Sequence, residues 1–271
     1  MIPASTESSK APAGRTGLAR HARLSAAGIL AVPAIVVPAV LWARITFHLR
    51  HPDVDPSIYL TISRAISDPA VGEPFAFWVT LAAVILWPST HLILWMFAAR
   101  HPPRGALGRT RDRLARTLFA VMSVAMTATC VGMVLLSRWR LGSTPAEHHM
   151  HMVGSYVFFA GQATTILLAA LYHTLIAPVP HPTDATAFFP ARWRARLGYA
   201  VVAAAALYGV IFHVKSMDFG AASSFVVAAY VELETILIIV FLAYLALFYV
   251  DVLRFLRERG TTADDAPDQG S

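Results

Sequence analysis

Hydrophobic residues in this 271-residue chain gather into long blocks; they do not alternate, and they do not recur in short amphipathic windows. Stretches almost free of Asp, Glu, Lys and Arg occupy 24–43, 75–99, 117–137, 152–177, 197–214 and 222–250, the last interrupted only by Glu232 and Glu234. A hydrocarbon layer of about 30 Å is crossed by roughly 20 helical residues, so each block is long enough for one passage. None alternates with the period of two that a lipid-facing strand needs, and backbone groups in lipid must find partners within their own segment. The pattern therefore predicts an all-α polytopic membrane protein, a six-transmembrane-helix bundle over 24–255. Residues 1–23 and 256–271, polar and rich in small residues, are expected to be disordered. Pro33, Pro38 and Pro88 fall inside spans, where neighbouring helices can satisfy the carbonyls they free. The first span follows a basic segment, as a signal peptide would. Its apolar run is longer than a signal core and no small-x-small cleavage site follows, so it is read as a true span.

Composition agrees. Hydrophobic residues make up 56% and charged residues 14%, against roughly 25% charged in soluble domains. That argues against a soluble enzyme, a disordered scaffold and a nucleic-acid-binding module, and no nucleic-acid partner is expected. The single cysteine, Cys130, excludes an internal disulfide and a multi-cysteine zinc site. The formal charge is +6, and its distribution gives an orientation. Sixteen of the 22 Lys and Arg residues lie on the side of the termini, including Arg109, Arg111, Arg113 and Arg116 between spans two and three, and six lie on the other side. The positive-inside rule then places both termini in the cytoplasm of a cell-membrane protein.

The outer face holds the remaining chemistry. Its first connection, 45–74, carries Asp53, Asp55, Asp68 and Glu73; the second carries Glu147, His148, His149 and His151; the third carries Lys215 and Asp218. Glu232 and Glu234 stand near the outer end of span six, and an ionisable residue within a span is a functional candidate by default. Two positions apart is roughly 200° around a helix, so the pair cannot point into one cavity. Either they pack at the interface, bonded to His213 or Lys215, or one of them serves a ligand or a proton. His148, His149 and His151 could offer imidazoles to a metal, but they lack a spaced partner, and a polar interfacial start to the fourth helix is the preferred reading. His91 and His173 near one face, with His151 and His213 near the other, could be imagined as haem ligands. His151 and His173 are separated by roughly 33 Å of helix, which would leave such haems among the headgroups. No cofactor is expected, and His91 and His173 read as satisfied core or interfacial histidines, bonded to backbone that Pro88 frees. Thr127, Thr129, Cys130, Gln162, Thr164 and Thr165 suit helix packing. No phosphate loop or Gly-x-Ser-x-Gly elbow is present.

Three local patterns resemble the FRAG/DRAM/SFK family of six-span membrane proteins. Ile66-Ser67-Asp68 with Gly72, Glu73 and Pro74, followed by Phe75, Phe77 and Trp78, is similar to the family's first outer loop, although the family has Pro before Glu. His151, Gly154, Ser155, Phe158, Phe159 and Gly161 resemble the start of its fourth span. Glu234, Phe241, Tyr244, Phe248 and Asp251 resemble its final span, although the usual Trp after the Glu is absent here. The resemblance implies a bundle with both termini inside and a polar cluster outside. It also implies a lipid-related role, since relatives act in glycolipid-anchor remodelling, phosphoinositide-kinase regulation or autophagy.

The expected function is accordingly recognition of a lipid headgroup or a membrane partner at an outer site drawn from Asp68, Glu73, His151, Glu232 and Glu234. Membrane lipids and other membrane proteins are the expected partners, and a non-catalytic role is preferred to an enzymatic one. The alternatives are a proton- or ion-coupled carrier using an intramembrane Glu, and a metal-dependent enzyme at His148, His149 and His151.

Overall fold

The computed structural model describes the backbone of residues 13–54, 60–102, 106–140, 144–178 and 190–264, with side chains described within these from 21 to 258. Helices are α1 (Ala13–Arg50), α2 (Ile62–Ala65), α3 (Pro69–Ala99), α4 (Arg109–Arg138), α5 (Pro145–Ile176), α6 (Ala191–Val214), α7 (Ser223–Ala246) and α8 (Tyr249–Asp264). A single 3-10 turn, Gly220–Ala222, precedes α7, and no strand occurs among the described residues. Six helical segments are long and apolar enough to cross a membrane, α7 and α8 together forming the sixth. The chain is an all-α, multi-pass membrane protein. Helix extends into both ends expected to be disordered: α1 begins at Ala13 and α8 runs to Asp264. The expectations for 1–12 and 265–271, and for Asp55 and Arg104, lie outside the described residues.

Each long helix packs on the next in chain order, and α7 and α8 return to α1, so the bundle closes as a ring. On α1 the buried positions Ala26, Ile29, Val32, Val36, Val40, Ala43 and Phe47 recur every three or four residues, the single stripe of an inward face. Pro33 and Pro38 leave α1 continuous. In α3, Pro88 cannot donate to the preceding turn. Hydroxyls on the next two residues bond backward there: Ser89 Oγ donates to the Ile85 carbonyl at 2.7 Å and Thr90 Oγ1 to that of Leu86 at 2.8 Å. His91 is satisfied, but not by the carbonyl that Pro88 frees, which is that of Val84: one ring nitrogen is 2.7 Å from the Trp87 carbonyl and the other 2.9 Å from Ser123 Oγ. His173 departs from expectation, for it has no backbone partner and lies between Phe97 and Phe248, its ring parallel to the latter.

Helix α3 starts six residues before the apolar block at 75, because Asp68 caps it and Pro69 takes its first position. A proline costs nothing there, since the first amides of a helix have no internal partner. The sixth span also differs from its sequence: α7 ends at Ala246 and α8 begins at Tyr249. At this break the Phe248 amide bonds the Leu245 carbonyl, three residues back. Phe248 is buried under the Arg194 guanidinium, which lies 5.1 Å from its ring centroid, and Arg194 forms a buried ion pair with Asp251 of α8. This end of the bundle, where α1 starts and α8 ends, is tied by that buried pair; the opposite end is tied by α2 and by ion pairs around it.

Helices α4 and α5 make the most extensive contact in the bundle. A Cβ at Gly132 would sit 2.4 Å from the Phe158 nitrogen, and one at Gly154 would sit 2.5 Å from the Leu136 nitrogen. Both obstacles are backbone and cannot rotate away. Gly154→Val should therefore destabilise the protein by about 3 kcal/mol, read as a lower thermal unfolding midpoint in detergent.

Candidate functional site

The site is assembled around α2, four residues of helix that lie between α1 and α3 and touch α7. So short a helix is not self-sustaining, and its amides need outside acceptors. Thr61 caps it, its hydroxyl accepting from the Arg64 amide at 3.1 Å. The Ile62 amide donates to Glu234 Oε2 at 3.1 Å, across 172 residues of sequence. The next residue, Ser63, meets His151: its hydroxyl lies 2.9 Å from Nε2, while Nδ1 is 2.8 Å from the backbone carbonyl of Trp139. A carbonyl oxygen only accepts, so Nδ1 carries the ring proton and Nε2 accepts from Ser63. The close approach at Gly154 brings α5 against the end of α4, and so His151 within reach of the Trp139 carbonyl.

Glu232 and Glu234 point apart, as their spacing requires. Glu232 is half exposed and pairs with Arg44 of α1 at 2.8 Å. Arg44 also donates to Thr235 Oγ1 at 3.2 Å. Glu234 is 5% exposed and faces inward. Neither glutamate bonds His213 or Lys215, the expected partners. His213 is 2.7 Å from the Gly209 carbonyl. Lys215 donates to the Phe212 carbonyl at 3.0 Å, with its ammonium 3.6 Å from the Phe212 ring centroid and 4.7 Å from that of Tyr230. Partial burial lowers the Lys215 pKa from its ordinary value, and the nearby Glu234 carboxylate opposes that shift.

The other candidates fall elsewhere. Asp68 accepts from Arg50 Nε at 2.9 Å and from the Ala70 amide at 2.9 Å, and its carboxyl lies 3.1 Å from His51 Nε2. It thus ties the end of α1 to the start of α3. Glu73 is largely exposed, 4.0 Å from Arg140. Neither lines the cavities described next. His148 and His149 are exposed whereas His151 is buried with both nitrogens engaged. Among the described residues no three metal-ligating side chains come together.

Two cavities meet at α2. The smaller, about 50 Å³, is bounded by Ile62, Ser63, His151, Ser155, Phe158 and Glu234 among others. The larger, about 370 Å³, lies between α5, α6 and α7, and shares Ser63, Ser155, Phe159 and Glu234 with the first. Its walls are otherwise mostly apolar and aromatic, including Ala160, Ala163, Tyr208, Phe212 and Leu237, with His213 also on the wall. The reason is local sequence. Facing residues on α6 are Val202, Ala205, Ala206 and Gly209, and a Cβ added at Gly209 would meet nothing within 4 Å. Protein interiors are close-packed with few voids, and this volume is in the range that encloses an organic ligand, roughly 300–1,000 Å³. The arrangement is an apolar chamber with a carboxylate and a hydroxyl at one end, where it meets the smaller cavity bounded by the His151 imidazole, and it suits an amphiphile.

Of the residues expected from the sequence, His151 and Glu234 come together at α2, while Ser63, the Trp139 carbonyl, Arg44 as a clamp and the chamber itself were not anticipated. The run of alanines before Gly209 was the available signal for the last. No family model matches the chain, and neither curated proteins nor solved structures show a match.

The Arg50 guanidinium, with the Ala70 amide and His51, holds the Asp68 carboxyl down to about 2 from 3.8. The folded value lies below the unfolded one, so this contact contributes its full stability above the unfolded pKa and loses it as pH falls through about 2. Asp68→Asn should lower the unfolding midpoint at neutral pH and flatten its decline on acidification. Thermal scans between pH 5 and 2 would measure both effects.

Proposed function

We propose that this chain is a lipid-binding protein of the cell membrane, with the α2 end facing outward. The acyl part of a lipid lies in the chamber between α5, α6 and α7, and its polar end lies against Glu234, Ser63 and Lys215. The observation carrying this reading is the chamber's make-up: about 370 Å³ of mostly apolar wall that ends on a buried carboxylate. The aromatic residues Tyr156, Phe212 and Tyr230 stand around it, as expected where a site meets the membrane interface. The asymmetry of sixteen basic residues to six supports cytoplasmic termini. The resemblance to the FRAG/DRAM/SFK family points the same way, toward lipid-related work at the outer face.

Lipids co-purifying with the protein in mild detergent, identified by mass spectrometry, test the reading. Gly209→Phe projects a ring into the open space of the chamber, and should reduce bound lipid about tenfold, equivalent to about 1.4 kcal/mol, without altering elution on size exclusion. Equal lipid in both proteins would refute the assignment. Orientation has its own test: in a Cys130→Ser background, His148→Cys should react with a membrane-impermeant maleimide in intact cells. Labelling only after lysis would invert the topology.

A further inference from the structure

The geometry points to acyl-transfer chemistry: we infer that Ser63 is a nucleophile and His151 its general base, acting on the ester bond of a lipid whose chain occupies the chamber. The inference rests on the lipid-binding reading and adds a reaction to it. Three parts of a serine–histidine catalytic unit are in place. Nucleophile and base are within hydrogen-bond reach at 2.9 Å, the distance that proton abstraction requires. The base is oriented from behind, its Nδ1–H fixed on the Trp139 carbonyl at 2.8 Å. That carbonyl occupies the place of the acid in a catalytic triad, holding the tautomer that leaves Nε2 free to accept a proton. The third part is access: Ser63 is half-buried and lines both cavities, so its hydroxyl faces the space an acyl chain would fill.

The remaining groups have roles that follow from position. Glu234 holds the Ile62 amide and so sets the register of α2, which directs the next residue, Ser63, toward His151. It is a positioning residue. Ser155, one helical turn beyond His151 and on the wall of both cavities, is the hydroxyl donor available to a developing oxyanion, a term that usually dominates such catalysis.

The reaction balances with water as co-reactant. Ser63 Oγ attacks the ester carbonyl carbon while its proton passes to His151 Nε2. The carbonyl re-forms as the bond to the alkoxide oxygen breaks, and His151 returns the proton to that oxygen, releasing the alcohol. Water then attacks the acyl-Ser63 ester, giving its proton to His151. Cleavage releases the carboxylic acid and restores the Ser63 hydroxyl with the proton from His151. Ester and water become acid and alcohol, with no oxidant or metal.

The test uses the full chain in mild detergent with a long-chain fluorophosphonate, which phosphonylates an activated serine with loss of fluoride. Peptide mapping should place one adduct on Ser63. Ser63→Ala should abolish it. His151→Gln, which keeps a hydrogen-bonding side chain but cannot act as base, should slow labelling and p-nitrophenyl decanoate hydrolysis at least about 100-fold. Its retained unfolding midpoint would separate chemistry from folding. Absence of an adduct on Ser63, or equal labelling in His151→Gln, overturns the inference. If wild type then still carries lipid that Gly209→Phe loses, binding stands and only the reaction fails; if no lipid is bound either, both readings fail.

Discussion

A backbone amide inside a membrane protein must find an acceptor or cost several kcal/mol. The connection between α1 and α3 meets that requirement at Ile62 by borrowing a carboxylate from α7. One hydrogen bond thereby joins the first connection to the last span, and it does so beside the chamber. The same contact explains why an ionisable residue is tolerated in a buried position: Glu234 is a partner to backbone, with Arg44 and Lys215 within its electrostatic reach. Around it, Arg44 to Glu232 and Asp68 to Arg50 fasten the surrounding helices from outside. The end is thus held by polar contacts at its periphery and at its centre.

Packing density is unevenly distributed for a reason found in side-chain size. Between α4 and α5, Gly132 and Gly154 let backbones touch, and that pair is closely packed. Small residues on α6 also face α5: at Gly198 they pack closely against Ala170, whereas toward Gly209 the missing side chains leave space. The same residue types therefore produce a tight seam on one side of α5 and a chamber on the other. Which occurs depends on whether the surrounding side chains are also small; around the chamber stand Phe159 of α5, Tyr208 of α6 and Tyr230 of α7.

The six spans were legible because hydrocarbon length and backbone satisfaction leave few alternatives. The divergence of Glu232 and Glu234 was legible from helical pitch alone. The early start of α3 needed the Asp68–Pro69 cap to be given more weight than hydropathy. The break between α7 and α8 had no signal, since Leu247 and Phe248 are ordinary helix residues and the cause is tertiary: Phe248 is gripped by Arg194 and His173 from two other helices. Arg194 read as one of many inside charges, with nothing marking its buried pairing to Asp251. Ser63 was the least visible of all. Its neighbours, Thr61, Ile62 and Arg64, make a helix too brief to show periodicity, and its meaning depends on a histidine 88 residues away.

The imidazole of His151 is steered by a peptide oxygen, a group common to all twenty amino acids. Whatever side chain residue 139 bears, that oxygen remains, provided the last turn of α4 keeps its path. Searches keyed to a Ser, His and Asp signature are blind to such a constellation, because its third member has no letter in the alphabet. The genetic code can rewrite the position freely, and only a change in the trace of the main chain would silence it.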